Sequence, residues 1–280
     1  MSKRREVQKR ISTLNDIDGI LTAMKSLALI EIRTLTGFLE AQRRVVASIE
    51  AASSHFLAFQ GKDLLLAQPK EELLILVGSE RGFCGDFNEQ LLDALEEFVP
   101  GKTSLVAVGH RLEAGLENDT RLMARVEGAT MAAEIHPTLE RLSGQLATLH
   151  QGTGEAPIKL SALYHCDETR QVRMRQLLPL TELPAAKPAC SYPPRLYLTP
   201  PVFYAELTDH YLHAVLYEIF YSSLMVENRR RLEHMDSAIR RLEKDQGALR
   251  LKYNGLRQEE IIEEIEILML SADALTPEDA

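Results

Sequence analysis

The chain has 280 residues, 45% of them hydrophobic, which is enough for one large or two modest folded domains. Its formal net charge of −9 argues against a general nucleic-acid-binding protein, because phosphate contacts need a basic surface. No apolar stretch approaches the ~20 residues that cross a bilayer, and the first residues contain no apolar signal core, so we expect a soluble or peripheral protein. The three cysteines, Cys84, Cys166 and Cys190, are odd in number and widely spaced, which predicts free thiols.

Residues 1–68 are predicted to form one long amphipathic helix. No proline precedes Pro69, and proline is the residue that most strongly breaks a helix interior. Apolar residues return mostly at three- and four-residue steps, which is the spacing of one helix face. This stripe consists of Ile11, Leu14, Ile17, Leu21, Met24, Ala28, Ile32, Leu35 and Leu39.

Residues 69–201 alternate short apolar runs with helical patterns, which is typical of an α/β domain. The apolar runs predict strands at 73–77, 104–108 and 158–164, with weaker strand patterns at 121–126 and 172–178. The helical patterns cover 88–98, 110–116 and 132–150. Prolines crowd the stretch from Pro179 to Pro201, which predicts a loop-rich junction before the last helix. We therefore expect a small Rossmann-like α/β domain in the middle of the chain.

Residues 202–280 carry a heptad pattern on a second long helix, with no proline between Pro201 and Pro277. One series is Met235, Leu242, Leu249 and Leu256, and its companion is Leu232, Ile239, Gln246 and Tyr253. This repeat is typical of a coiled-coil seam. Two arms of about 50 residues would each extend about 75 Å, so they must bury each other's apolar stripes. Because the middle domain can reverse the chain, we expect an antiparallel two-helix coiled coil built from both termini.

A glycine-rich segment, residues 78–85, follows the first predicted strand, where an α/β fold can hold a phosphate. It does not match the dinucleotide pattern G-x-G-x-x-G, and residues 101–103 lack the earlier glycine of a Walker loop. The glycines are therefore predicted to supply a tight turn, and no bound cofactor is expected. Cys84 in this turn is predicted to be structural, because no base that would activate its thiol is evident nearby.

The histidines do not predict a metal site. His210 and His213 share one helix face, and His165 precedes Cys166. A zinc ion needs three or four protein ligands at recognisable spacings, and these are isolated pairs.

The charge of the last helix changes from basic to acidic along its length. Basic residues come first: Arg229, Arg230, Arg231, Arg240, Arg241, Arg250, Lys252 and Arg257. Acidic residues follow: Glu259, Glu260, Glu263, Glu264 and Glu266. One interpretation is a basic collar that faces an acidic partner, and the other is a solvated helix face.

Three blocks of sequence resemble the F-type ATP synthase γ subunit family. The first helix carries Arg10, Ile11, Ile20, Ala23 and Met24 where the family shows R-I-x-S and then I-T-x-A-M. Residues 79–85 with Asn88 resemble the family turn S-D-R-G-L-C-G-x-x-N. In the last helix, Glu227, Arg231, Met235 and Ala238 are similar to E-x-x-x-R-M-x-x-M-x-x-A. Tyr253, Asn254, Arg257, Gln258, Ile261, Glu264 and Ile265 are similar to Y-N-x-x-R-Q-x-x-I-x-x-E-I.

The resemblance implies a non-catalytic subunit, the central rotor shaft that couples ion translocation through the membrane sector to ATP synthesis or hydrolysis. Its helices would enter a catalytic head of α and β subunits, and its α/β domain would lie against the ε subunit and the membrane rotor ring of c subunits. Met24, Arg257 and Gln258 would contact the catalytic head, with no cofactor, metal or nucleic acid bound. The chain would be peripheral on the cytoplasmic face of a bacterial inner membrane.

The sequence departs from the family pattern at several positions. Gly19 stands where the family usually has a lysine, residues 27–31 are less basic, and Thr199 replaces an acidic residue. These differences are similar to those of the alternate, sodium-type bacterial branch. Two other functions stay open: a free-standing coiled-coil scaffold whose α/β head binds another protein, and a nucleotide-binding protein that uses the turn at 78–85.

Overall fold

The computed structural model of the chain describes residues 3–64, 69, 71–99, 101, 103–152, 157–180 and 192–273. Its α-helices are α1 (Lys3–Leu64), α2 (Phe87–Phe98), α3 (His110–Glu113), α4 (Ile135–Gly152) and α5 (Pro200–Asp273). Its strands are β1 (Glu71–Val77), β2 (Ser104–Val108), β3 (Leu122–Val126), β4 (Ile158–His165) and β5 (Val172–Leu178). Short 3-10 helices cover Ala114–Leu116 and Ala132–Glu134. Cys190 and most of the proline-rich junction, at residues 181–191, lie outside the described residues.

The predicted strands and long helices are confirmed, and two predicted helices are divided. The pattern at 132–150 begins with the 3-10 helix Ala132–Glu134 and continues as α4. The pattern at 110–116 folds as α3 followed by the 3-10 helix Ala114–Leu116. Gly115 lies in this second piece, and a Cβ added to it would overlap the side chain of Leu92. The glycine permits a close approach to α2, and its low helix propensity is the reason that the longer α-helix does not form.

The five strands form one mixed sheet in the order β3-β2-β1-β4-β5. β1 pairs in parallel with both β2 and β4, so Ile75 lies beside Val106 and Ala162. β3 is parallel to β2, whereas β5 is antiparallel to β4. The chain therefore leaves β1 towards one side of the sheet and later returns to its other side. In open α/β sheets, ligands bind at the carboxyl ends of the strands beside such a switch point.

Alternate residues of β1 point towards two layers of helices. Ile75 and Val77 lie in a buried core with side chains from α1, α4 and α5. Leu74 and Leu76 point the opposite way and lie in a core with α2 and α3. Both faces of β1 are buried, which explains why the strand is an unbroken apolar run rather than an alternating one.

Contacts divide the chain into two units, one of residues 28–231 and one formed by Met1–Leu27 with Leu232–Ala280. In the described part of the second unit, the segments of α1 and α5 run antiparallel. Arg4 Nε lies 2.9 Å from Glu260 Oε2, and Lys25 Nζ lies 2.5 Å from Asp236 Oδ1. None of the described helices contains an apolar stretch long enough to span a membrane.

None of the heptad positions of α5 in this unit is exposed. Met235 is fully buried and the other seven predicted positions are half-buried, whereas Leu251, which lies off the stripe, is 75% exposed. On α1 the buried or half-buried series is Val7, Leu14, Leu21 and Ala28. A second half-buried series of α1 at seven-residue steps is Arg4, Ile11, Asp18 and Lys25. Asp18 rather than Ile17 therefore lies on the stripe, and the prediction that Ile17 belongs to it is wrong, since Ile17 is 39% exposed.

Candidate functional site

The turn at residues 78–85 is held by side chains that belong to the chain itself. The amide nitrogen of Ser79 donates to Asn88 Oδ1 at 3.0 Å, and Asn88 Nδ2 donates to Ser79 Oγ at 2.8 Å. Gly85 has a φ of 64°, the left-handed region that favours glycine. A Cβ added to Gly78 would lie 2.8 Å from Leu112 Cβ. The geometry therefore supports the interpretation of these glycines as a tight turn.

A carboxylate of the chain occupies the amide donors beside this turn. Glu80 Oε2 accepts hydrogen bonds from the amide of His110 at 3.0 Å and from the amide of Gly128 at 2.8 Å. These donors follow β2 and β3 at the carboxyl edge of the sheet, and free amides at such an edge are the groups that bind phosphate. Because Glu80 already supplies the anion, the geometry argues against nucleotide binding here.

α5 covers the carboxyl end of β1. Ser223 Oγ donates to the carbonyl oxygen of Val77 at 3.3 Å. Val226 packs in a small buried cluster with Cys84 and Phe87. Side chains of α5 therefore fill the position beside the switch point where a Rossmann-like domain would hold a ligand.

Cys84 is a structural residue, as predicted. Its side chain is buried, and its Sγ lies 3.4 Å from Ser79 Oγ. Burial raises the pKa of the Cys84 thiol, so the unreactive protonated form is favoured at neutral pH. Cys166 is also a buried free thiol.

A buried ion pair on α5 supports the turn. Arg231 Nη2 donates to Glu227 Oε1, Arg231 Nη1 donates to Asn228 Oδ1 at 3.0 Å, and Arg231 Nε points to the carbonyl oxygen of Gly82 at 3.5 Å. Glu227 is 2% exposed and Arg231 is 7% exposed. Burial raises the pKa of Glu227 to about 7, although the charge of Arg231 opposes this change.

Two further arginines of the predicted basic collar are also used within the chain. Arg230 Nη1 lies 2.7 Å from Asp86 Oδ1, and Arg230 Nη2 donates to Gln90 Oε1 at 2.5 Å. Arg229 Nη1 donates to the carbonyl oxygen of Asp167 at 3.2 Å. The interpretation of a basic collar that faces an acidic partner therefore does not hold at 229–231, because Arg229 and Arg230 contact the α/β domain and Arg231 pairs with Glu227 on α5 itself.

His165 is a core residue rather than a ligand. Its ring stacks on Phe87 with centroids 3.9 Å apart, and its Nε2 lies 2.8 Å from the carbonyl oxygen of Phe87. Burial lowers the pKa of His165 to about 4. Over the described residues, no group of three or more His, Cys, Asp or Glu side chains can hold a metal ion.

The predicted partner-contact residues are accessible to different degrees. Met24 is half-buried, whereas Arg257 and Gln258 are exposed. Beyond them every residue of 261–269 is exposed, including Ile262, which is 55% exposed.

A cluster of charged residues in the unit 28–231 was missed by sequence reasoning. Its members are Arg43 and Glu50 on α1, Asp167 after β4, Arg175 on β5, and Glu218 and Ser222 on α5. All of them except Asp167 line a cleft of about 470 Å³ together with apolar and polar neighbours. Although burial acts to lower it, the pKa of Arg175 is raised by the Tyr211 hydroxyl and by the carboxylates of Glu218 and Glu50. Two arginines at alternate positions of β5, Arg173 and Arg175, were the available signal.

Comparison with known proteins identifies the family. The family model described as ATP synthase matches residues 3–275. The ATP synthase gamma chain of Geotalea daltonii is 24% identical and aligns over 98% of this chain and 99% of its own. The corresponding chain of Syntrophobacter fumaroxidans is 26% identical over 98% of this chain and 99% of its own. That of Chlorobaculum tepidum is 28% identical over 75% of this chain and 77% of its own.

Solved structures share the fold. A chain of the Euglena gracilis mitochondrial ATP synthase aligns with a TM-score of 0.60 at 12% identity, covering 97% of this chain and 94% of its own. A chain from the central stalk and c-ring of the Tetrahymena thermophila mitochondrial ATP synthase gives a TM-score of 0.57 at 18% identity, covering 78% and 99%. Since the family model spans almost the whole chain and its curated relatives are gamma chains, the protein belongs to the ATP synthase γ-subunit family.

Proposed function

We propose that the chain works as the central rotor shaft of an F-type ATP synthase, coupling ion translocation through the membrane sector to ATP synthesis or hydrolysis in the catalytic head. The observation that carries this function is the family match over residues 3–275, with gamma-chain relatives that align along almost their full length. The γ subunit is non-catalytic, and the ATP chemistry belongs to the β subunits. Its contribution is therefore mechanical.

The mechanical part is an antiparallel two-helix coiled coil formed from residues 1–68 and 202–280, with residues 69–201 as the α/β domain. The ion pairs Arg4–Glu260 and Lys25–Asp236 support the antiparallel direction. The seven-residue spacing of the less exposed side chains on both helices supports a coiled-coil seam. Two helices that share one seam resist bending better than a single helix, which a shaft requires.

The partners follow from the same assignment. Met24, Arg257 and Gln258 contact the α and β subunits of the catalytic head, where the forked guanidinium of Arg257 binds carboxylates. The exposure of Arg257 and Gln258 leaves both side chains free for such contacts. The α/β domain contacts the ε subunit and the ring of c subunits. The complex lies on the cytoplasmic face of a bacterial inner membrane, and the bacterial origin of the curated relatives supports this location.

Purification of the tagged full-length chain from its native cells under mild detergent tests the assignment. We expect a membrane complex that contains α and β subunits and hydrolyses ATP. Recovery of the chain alone, or with unrelated proteins, would contradict the rotor function and favour a free-standing scaffold. A saturable nucleotide affinity of the isolated chain that is lost in Gly82→Val would instead favour the nucleotide-binding alternative.

A further inference from the structure

The charge cluster defined above links both long helices to the edge of the sheet. Arg175 on β5 is its first centre. Its Nη2 lies 2.7 Å from Glu50 Oε1 on α1, and its Nη1 lies 3.0 Å from Glu218 Oε2 on α5. One guanidinium therefore binds a carboxylate from each helix.

Arg43 on α1 is the second centre of the charge cluster. Its Nη2 lies 2.5 Å from Asp167 Oδ1, in the turn after β4, and its Nε lies 3.8 Å from Glu218 Oε1. Ser222 Oγ accepts a hydrogen bond from the amide of Asp167 at 2.9 Å and also lies 2.9 Å from Asp167 Oδ1. Because both arginines reach Glu218, the two halves form one connected network.

Stability alone does not explain these charges. The exposed fractions of the Asp167, Glu50 and Glu218 side chains are 9%, 18% and 18%. Removing such charges from water is costly, and apolar side chains of similar volume often stabilise a fold equally well. The surrounding core already supplies apolar contacts between these helices and the sheet.

Ion pairs of this kind add direction to the packing. A planar guanidinium binds a carboxylate only over a narrow range of angles, whereas apolar contact is non-directional. Arg43 and Glu50 are seven residues apart on α1, and Glu218 and Ser222 are four apart on α5. On each helix the two residues lie on one face, two turns apart on α1 and one turn apart on α5. Contacts at two points of one face oppose both rotation of the helix about its axis and sliding along it.

We propose that the charge cluster is the joint that fixes the angular position of α1 and α5 on the α/β sheet, so that torque passes between helices and sheet without slippage. Arg43 and Arg175 act in it as positioning residues. This inference rests on the proposed rotor function, because the transmission of torque has a role only in a chain that rotates.

The test replaces the Arg175 half of the cluster by apolar residues in the complete complex reconstituted in liposomes. In the variant Glu50→Leu, Arg175→Met, Glu218→Leu we expect assembly and ATP hydrolysis to persist while most ATP-driven ion pumping is lost. The matched control is Glu40→Leu, Arg44→Met, an ion pair on α1 whose side chains are both 76% exposed. This control should keep the wild-type ratio of pumping to hydrolysis.

A wild-type ratio of ion pumping to ATP hydrolysis in the triple variant overturns the inference. If that variant does not fold, Arg175→Lys keeps the charge but removes the fork. It should lower the ratio of ion pumping to ATP hydrolysis while the complex still assembles and hydrolyses ATP, and an unchanged ratio overturns the inference equally. A wrong assignment of the rotor function gives a different result, because the unmodified chain would then not copurify with catalytic subunits.

Discussion

At the scale of single residues, the structure joins α5 to the α/β domain through groups that are costly to bury. Glu227 and Arg231 are almost inaccessible to water, yet each carries a hydrogen-bonding partner. Such a pair contributes little net stability when intact but leaves a buried polar group without its partner when one member is removed. Its effect is to specify where the turn at 78–85 meets α5.

Removing one member of this pair should be far more damaging than removing both. Arg231→Met should lower the free energy of unfolding by about 3–5 kcal/mol, because the buried Glu227 loses its partner. The double variant Glu227→Leu, Arg231→Met should lie close to the wild type. Urea unfolding of the full chain measures both values, and a single variant no worse than the double would contradict a coupled buried pair.

His165 should make the fold sensitive to acid. Its folded-state pKa of about 4 lies below the ordinary value of 6.5, so between these pH values the unfolded chain binds more protons. The stability from the neutral imidazole is present above pH 6.5 and is lost as the pH falls through about 4. At about 1.4 kcal/mol per pKa unit, the loss is about 3 kcal/mol.

The variant His165→Met isolates this contribution, because methionine does not titrate. Urea unfolding at pH 7 and at pH 4.5 should show a smaller loss of stability in the variant than in the wild-type chain. His110→Met is the control, since the His110 side chain is 72% exposed. Equal pH dependence in wild type and His165→Met would show that His165 is not the sensitive group.

At the scale of elements, the seam between the chain ends should carry stability unevenly. Met235 is 0% exposed at a heptad position, whereas Leu251 is 75% exposed on the same helix. Met235→Ala should lower the free energy of unfolding by about 2–5 kcal/mol, because it removes a buried side chain. Leu251→Ala should stay within about 0.5 kcal/mol of wild type. Chemical unfolding compares the two, and similar losses would contradict the assigned seam.

Elements with a strong local pattern were predictable from the sequence. The run Leu73 to Val77 is apolar on both faces, and the repeat from Leu232 to Leu256 specifies one helix face, so β1 and α5 were recognised. Ile17 was misplaced because a loose three- and four-residue rule does not distinguish it from Asp18. Periodicity alone predicts which helix face is buried but not which partner covers it.

The contacts that assemble the candidate site were harder to predict. Arg175 meets Glu50 and Glu218, which lie 125 and 43 residues away in the sequence. A single sequence contains no local pattern that pairs residues so distant. For the turn at 78–85, the sequence indicates a tight turn because its glycine spacing fails the nucleotide patterns, whereas the contacts from Glu80 and α5 depend on the tertiary fold.

At the scale of the whole molecule, the proposed contacts with the catalytic head predict a loss of activity without a loss of folding. Arg257→Ala combined with Gln258→Ala should reduce ATP hydrolysis by the complex by about tenfold or more, as expected when hydrogen bonds to charged groups are lost. Both side chains are exposed, so the melting temperature of the chain should not change. Arg250→Ala, an exposed arginine on the same helix, is the control. Equal ATP hydrolysis by the wild type, the double variant and Arg250→Ala would show that Arg257 and Gln258 do not contact the catalytic head.

A single-molecule measurement shows whether this chain rotates within the complex. The catalytic head is fixed to a surface, a bead is attached to a cysteine placed at exposed Met123 on β3, and ATP is added. We expect sustained rotation of the bead in one direction that stops when ATP is removed. ATP hydrolysis at the wild-type rate with a stationary bead would contradict it.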